Sequence, residues 1–474
     1  MLFNSFPYML LFLPGVVIIT IAVRETMGPR PAQICVLLAS LLFYAWWKPV
    51  NLSYLFASIS INWLFAGGIS RAEQPRRARL LQLGLIFNIG FLCIFKYMNF
   101  VLKSLPLLAQ SRISWPELDF PLGISFFTLT QIMYLVDCYE GLLPVLSGFD
   151  HATFVSFFPY VISGPLANAR RIVPQFGDFG ASPGKRPELL SRGVYLFTLG
   201  LLKKVVFAFA FSRVADFGYS VSDDLSGLEV VIFSVSYTLQ IYFDFSGYTD
   251  MAVGSALMLG IEIPRNFDAP LRSKSIIEFW QRWHITLSNF ITNYLYTPIL
   301  RSFPRATLAT ASIATLIAMS VAGLWHGPSW TFVVFGTLHG AALVINQYWR
   351  KKKMPKPPWA VSWFITFLLV DAAFVFFRSP DVHSAVRMIS NVFSFHDSFG
   401  LHQLQAMHDA FSLKIFGVPL LLGTILAFWG KSSDQLVRDF APSYRSAAGI
   451  AALATVSWLF MNSNISQQFV YFKF

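Results

Sequence analysis

Read for its apolar and polar positions, the chain is a series of predominantly apolar runs separated by short polar breaks. Runs that read as membrane-crossing helices, some of them shorter than a ~30 Å hydrocarbon slab requires, lie near 3–23, 31–47, 52–69, 80–95, 121–136, 194–212, 230–243, 306–325, 328–349, 358–377, 415–430 and 446–461. The runs are continuous rather than alternating, which excludes a membrane barrel. Only helices and closed barrels satisfy every backbone group in lipid. The pattern therefore predicts an all-α polytopic membrane protein with about 10–12 transmembrane helices. Two further stretches, 152–168 and 284–300, read as segments that enter and return or lie in the interface. The longest polar stretches, 168–193, 262–283 and 378–412, are loop-sized. Pro174, Pro183 and Pro187 with Gly177, Gly180 and Gly184 mark the first as coil. No soluble domain and no internal repeat interrupts the series, so the chain reads as a single integral membrane domain, 1–474.

Composition agrees with the pattern. Of 474 residues, 55% are hydrophobic and only 13% charged, against about 25% charged in soluble domains. The apolar run at the N-terminus follows no Lys or Arg, and the first basic residue, Arg24, comes after it. It reads as a retained span rather than a signal peptide. Cys35, Cys93 and Cys138 lie in apolar segments without a CxxC pair, which indicates neither a disulfide framework nor a zinc site. The net charge of +12 implies no nucleic acid, because it is concentrated in loops. Arg71, Arg76, Arg77 and Arg79 fill one, Arg170, Arg171, Lys185, Arg186 and Arg192 a second, and Arg350, Lys351, Lys352, Lys353 and Lys356 a third. These suit the cytoplasmic face of a bilayer with anionic lipid. The 213–229 loop, with Asp216, Asp223, Asp224 and Glu229, suits the outside, and the alternation places the N-terminus outside.

Ionisable groups inside apolar text are costly and mark pathways, pairs or sites. Three clusters stand out. In Tyr242-Phe-Asp-Phe-Ser-Gly-Tyr-Thr-Asp250, Asp244 and Tyr248 are four apart and share a helix face. They read either as a structural knot in which Tyr hydroxyls satisfy carboxylates or as substrate contacts. In Glu278-Phe-Trp-Gln-Arg-Trp-His-Ile-Thr-Leu-Ser288, residues Trp280, Trp283, Leu287 and Ile291 form one stripe of an amphipathic helix, with His284 beside it. Taken alone, that segment reads as an interfacial anchor. In Gly323-Leu-Trp-His-Gly-Pro-Ser-Trp330, a helix is expected to end at His326, because Pro328 supplies no N–H and Gly327 is a poor helix former. A new helix starts with Ser329 and Thr331 near its beginning. Broken backbone at membrane depth is tolerated where it lines a cavity, so His326 is expected at a protein-lined break. There a neutral imidazole can take a proton from a hydroxyl. His339 reads as a packing or hydrogen-bonding histidine. Metal binding needs three or four convergent ligands, and no short-spaced pair such as HxxxH supports it, so none is expected.

GLWHGPSWTFVVFGTLHG, NFDAPLRSKSIIEFWQRWHITLS, YFDFSGYTDMAVG, PLGISFFTLTQIMYLVDCYEG and the ending FVYFKF together resemble the membrane-bound O-acyltransferase (MBOAT) family, in the branch of bacterial alginate O-acetyltransferase. The resemblance runs from LFYAWW near residue 42 to the C-terminus. It implies a helical funnel or tunnel, with a catalytic core over about 121–349 and C-terminal helices over 358–474. It makes His326 the essential catalytic residue and His284 its companion, with Asp244, Tyr248, Trp325, Trp283 and Asn266 supporting or lining the tunnel. It implies no bound cofactor, with acetyl-CoA reaching the site from the cytoplasm as acyl-donor substrate. The acceptor would be an exported polysaccharide, as in alginate biosynthesis, alone or through an extracytoplasmic acetyltransferase or polymer-modifying protein. The expected location is the bacterial inner membrane. Arg265, Arg272, Lys274 and Arg282 are candidates for the donor phosphates. Departures from the family pattern are Gln281 where relatives carry Arg, Thr292–Leu300 without the usual Arg-Asp pair and glycines, and Pro270-Leu271 for Pro-Tyr. Other readings of the same residues are D-alanyl transfer from a carrier protein, a transporter with a proton relay, and a non-catalytic scaffold.

Overall fold

The computed structural model describes residues 1–104, 120–393, 400–410 and 413–462. The FVYFKF ending lies outside them. Every regular element among the described residues is helical. The helices that fall on the apolar runs are α1 (Pro7–Met27), α2 (Pro29–Ala45), α3 (Asn51–Arg71), α4 (Arg76–Lys96), α5 (Ile124–Tyr139), then α7 (Arg186–Ser220) and α8 (Gly227–Met258) beyond the short α6 (Gly148–Ser156). After two short elements, α9 (Ile276–Arg282) and α10 (Ile285–Phe290), follow α11 (Leu308–His326), α12 (Trp330–Lys351), α13 (Trp359–Arg378), a short α14 (Val382–Asn391), α15 (Leu413–Trp429) and α16 (Tyr444–Asn462). Seven of these, α1, α3, α4, α7, α8, α11 and α13, are long and apolar enough to cross a membrane. The others on apolar runs are shorter or less apolar. The protein is thus an all-α polytopic membrane protein. Side chains such as Leu11 (75% exposed) and Ile86 (65%) are bare on helix surfaces, which is stable only against lipid.

The chain forms two compact units, and α7 and α8 contribute to both. The first comprises Met1–Phe197, Thr249–Arg265 and Phe440–Ser443. In it Gly28, at φ +92°, turns α1 into α2, a backbone conformation open mainly to glycine. Several polar groups buried here are paired: Tyr8 with Ser255 at 2.8 Å, Asn62 with Asn88 at 2.6 Å, and Asp137 with Arg170 at 3.1 Å. The 168–193 stretch, expected as coil, holds a 3-10 turn (Val173–Asp178) and the first residues of α7.

The second unit comprises Thr198–Tyr248, Asn266–Asp439 and Tyr444–Phe474. Its centre is a hairpin of α11 and α12, with α13 packed on α12. The stretch 378–412 is not all loop. Asp381 caps α14 by accepting from Ser384 N–H at 2.8 Å, and Ala385 and Met388 are buried on one face. The largest departure from the sequence pattern is at 276–301. No single amphipathic helix spans it: α9 ends at Arg282, α10 begins at Ile285, and a π-helical turn (Ile291–Tyr296) follows. Trp280, Trp283, Leu287 and Ile291 are all buried. The stripe therefore faces protein rather than the lipid interface.

Candidate active site

His326 is the last residue of α11, and the chain turns at Gly327-Pro328-Ser329. Gly327 N–H closes the helix on Leu324 O at 3.1 Å. Ser329 opens α12, its hydroxyl accepting from Thr331 N–H at 3.3 Å. The two helices then run back along each other at glycine contacts. A Cβ on Gly323 would lie 2.3 Å from Phe332 O, and one on Gly336 2.2 Å from Met319 O. This close approach, the small-residue packing of membrane helices, seats the imidazole inside the protein with 6% exposure. Its ring meets Trp325 at 5.1 Å, Phe377 of α13 at 5.2 Å and Phe335 of α12 at 5.9 Å between centroids. His339, one turn beyond Phe335, meets it edge-on at 4.7 Å and Trp280 edge-on at 5.3 Å. Both ring nitrogens of His339 and Nε1 of Trp280 are buried without a hydrogen-bond partner.

His284 occupies the turn between α9 and α10 in the left-handed region, φ 43° and ψ 52°. A non-glycine residue pays strain there and persists only where its surroundings over-determine it. The surroundings here are the 266–268 segment. Ile285 N–H donates to Asn266 O at 3.0 Å, and Asp268 N–H donates to Arg282 O at 3.0 Å. The Asn266 side-chain oxygen accepts from Thr286 N–H at 3.1 Å and from Thr286 Oγ1 at 2.6 Å. The His284 ring packs edge-on to Phe245 of α8 at 4.8 Å, and neither nitrogen has a hydrogen-bond partner. The turn lies outside the seven spanning helices, and burial pushes its pKa down from the usual histidine value, so the ring is neutral near pH 7. No hydrogen bond joins His284 to His326. Both adjoin one aromatic cluster: Trp283 packs on Phe374 at 5.3 Å, and Phe374 on Phe335 at 5.8 Å and Phe377 at 6.1 Å.

Of the other expected site residues, Trp325, Trp283, Asn266, Asp244 and Tyr248 are all buried. Asp244 forms an ion pair with Lys204, from a π-helical turn of α7 (Lys203–Ala208). Lys204 was legible by the same rule as the histidines, as a cation inside the 194–212 run. So was Asp371 of α13, which accepts from Ser234 at 2.7 Å and Thr238 at 2.6 Å. The cations expected at donor phosphates are partly engaged. Arg282 pairs with Glu278 at 2.8 Å, Arg272 donates to Gly430 O at 3.0 Å, and Lys274 and Arg265 are exposed.

A cavity of about 560 Å³ opens between α9, α10, α11 and α12. Apolar walls from Ile285, Met319 and Leu343 alternate with Gln281, Asn289 and Gln347, Trp280 forms part of the wall, and Arg350 stands at the basic end of α12. Its α11 residues end at Met319, seven residues or ~10 Å along the axis from His326.

A buried imidazole at a helix break, on the same hairpin as the cavity but not among its lining residues, is an arrangement that can serve group transfer. Family comparison decides which. The sequence profile of the membrane-bound O-acyltransferase family matches residues 71–379. The chain belongs to this family. It is therefore an acyltransferase, and His326, His284, Asn266 and the cavity all lie within the matched region. The chain is 32% identical to a peptidoglycan O-acetyltransferase of Helicobacter pylori, over 100% of this chain and 98% of that protein. It is 34% identical to a probable alginate O-acetylase of Pseudomonas aeruginosa, over 91% of this chain and 81% of that one. A teichoic acid D-alanyltransferase of Streptococcus thermophilus is 30% identical over 54% of this chain and 68% of its own length.

Proposed function

We propose that this acyltransferase moves an acetyl group from acetyl-CoA, on the cytoplasmic side of the bacterial inner membrane, to a hydroxyl of an exported polysaccharide, directly or through an extracytoplasmic partner. The observation that carries the reading is the extent of similarity. Relatives named for O-acetylation of a polymer match over nine-tenths or more of this chain, whereas the D-alanyltransferase of S. thermophilus matches over 54%.

The geometry supports it. The cavity is lined by Arg350, at the basic end of α12, and by Trp280. Arg350 would meet the donor's phosphate, and Gln281, Asn289 and Gln347 the amides of its flexible arm. His326 removes the proton from the acceptor hydroxyl as its oxygen attacks the thioester carbon, then returns that proton to the departing thiolate. The reaction is balanced without a cofactor. A positioned base contributes about 10²–10⁴ in rate. His284 orients the reacting groups.

The similarity to the D-alanyltransferase of S. thermophilus keeps one second reading in play, an acyl group delivered by a carrier protein. One experiment separates the two. Purified protein in nanodiscs is offered labelled acetyl-CoA or an acyl-charged carrier protein, with the polymer as acceptor. Label in the polymer and free CoA from the first donor support the proposal. Transfer from the carrier alone overturns it.

A further inference from the structure

The Asn266 side chain is fixed in one orientation. Its oxygen receives both the Thr286 N–H at 3.1 Å and the Thr286 hydroxyl at 2.6 Å. An N–H can only donate, so the branch facing Thr286 is the oxygen and the other is the NH₂. That nitrogen, Nδ2, is buried and has no hydrogen-bond partner, on a residue only 2% exposed. A buried donor left unmade costs the desolvation of its N–H. The adjoining turn carries a second cost, the left-handed backbone of His284. Both His284 ring nitrogens are likewise buried without partners. The nearby side chains are aromatic: Phe245 against His284, and Phe267 against Phe245 at 5.0 Å. The clamp thus holds unpartnered polar groups in low-dielectric surroundings, where a hydrogen bond to developing charge is strongest.

Acyl transfer creates such a charge. When the acceptor oxygen attacks, a C–O bond forms and the carbonyl electron pair moves onto the acyl oxygen. On collapse the C=O bond re-forms, the C–S bond breaks, and the thiolate takes the proton held by His326. A neutral carboxamide N–H can stabilise the oxyanion throughout without gaining or losing a proton.

We propose that the Asn266 Nδ2–H group, with the His284 ring beside it, is the oxyanion donor of this acyltransferase. The inference rests on the acetyl-transfer reading of His326 and adds a catalytic residue to it.

Asn266→Asp tests it, because the carboxyl still accepts from both Thr286 donors while the N–H is lost. In membrane vesicles containing the full-length protein and the endogenous polymer, CoA release from acetyl-CoA should show kcat lower by about 10²–10³-fold. KM should change less than about threefold, and the unfolding temperature should hold, which a merely structural role would not give. A kcat within about threefold of the unmodified protein overturns the proposal. A second measurement does not depend on how that variant folds. His326→Ala protein is loaded with acetyl-CoA labelled with carbon-13 at the carbonyl, and its infrared stretch is read. A shift to lower wavenumber than in water, reduced in the His326→Ala/Asn266→Asp protein, is expected. No shift from the value in water overturns the proposal. Failure of the underlying reading looks different: the unmodified protein then neither releases CoA nor binds the labelled thioester.

Discussion

At the scale of single residues, the two histidines differ in how they are held. His326 sits at a break that Gly327 and Pro328 announce in the sequence. His284 sits in a left-handed turn that no local pattern announces, because Asn266, twenty residues before Thr286, fixes it through that residue. The stripe of Trp280, Trp283, Leu287 and Ile291 suggested one helix only because each side chain does turn inward; the backbone between them is broken. Burial also gives His284 a pH signature. Its folded pKa lies below the ordinary value of 6.5. Below pH 6.5 the unfolded chain takes up a proton that the folded ring refuses, so stability is complete above that pH and falls as the medium is acidified. The loss is at most about 1.4 kcal/mol per pH unit. Unfolding temperatures followed from pH 7.5 to 5 should therefore fall more for the unmodified protein than for His284→Gln, and parallel curves would contradict the assignment.

At the scale of elements, the α11–α12 hairpin was the most legible part of the site. Its apolar runs, its Gly-Pro break and the Ser329 cap all appear in sequence order. The closeness of the two helices was not, since it depends on Gly323 facing Gly336 across the hairpin. Gly336→Ala places a Cβ 2.2 Å from a backbone oxygen that cannot move aside. It should destabilise the protein by about 1–3 kcal/mol in a denaturant or thermal assay and lower kcat by displacing His326. The α7–α8 ion pair makes a second test. Lys204→Met removes one partner of a buried ion pair and should cost about 3–5 kcal/mol, while Lys204→Met/Asp244→Leu should recover most of it. In the cavity lining, Arg350→Gln should raise KM for acetyl-CoA about two- to fivefold with kcat nearly unchanged.

At the scale of the whole molecule, the loop contacts within each unit agree with the alternation of spans read from the sequence. In the first, Arg24 donates to Gly177 O at 2.5 Å and Phe179 O at 2.7 Å, Arg186 pairs with Glu25 at 2.5 Å, and Arg77 donates to Tyr139 O at 2.5 Å. These contacts join loops that the alternation of spans puts on one side. In the second, Asp216 pairs with Arg378 at 3.0 Å and Asp223 with Arg387 at 2.9 Å, joining loops assigned to the other side. Side chains buried within spans were harder to pair from sequence. Lys204 and Asp244 are both visible as charges in apolar text, but which partner each finds depends on helix packing that no single run encodes.

In the proposed mechanism His326 is the base that moves the proton during acetyl transfer. The most direct measurement compares purified unmodified and His326→Ala protein, reconstituted in nanodiscs with labelled acetyl-CoA and the polymer. The account predicts that label reaches polymer hydroxyls with the unmodified protein, that His326→Ala lowers the rate by at least about 10², and that His284→Ala has a smaller effect. Transfer at an undiminished rate by His326→Ala protein of intact fold would contradict it.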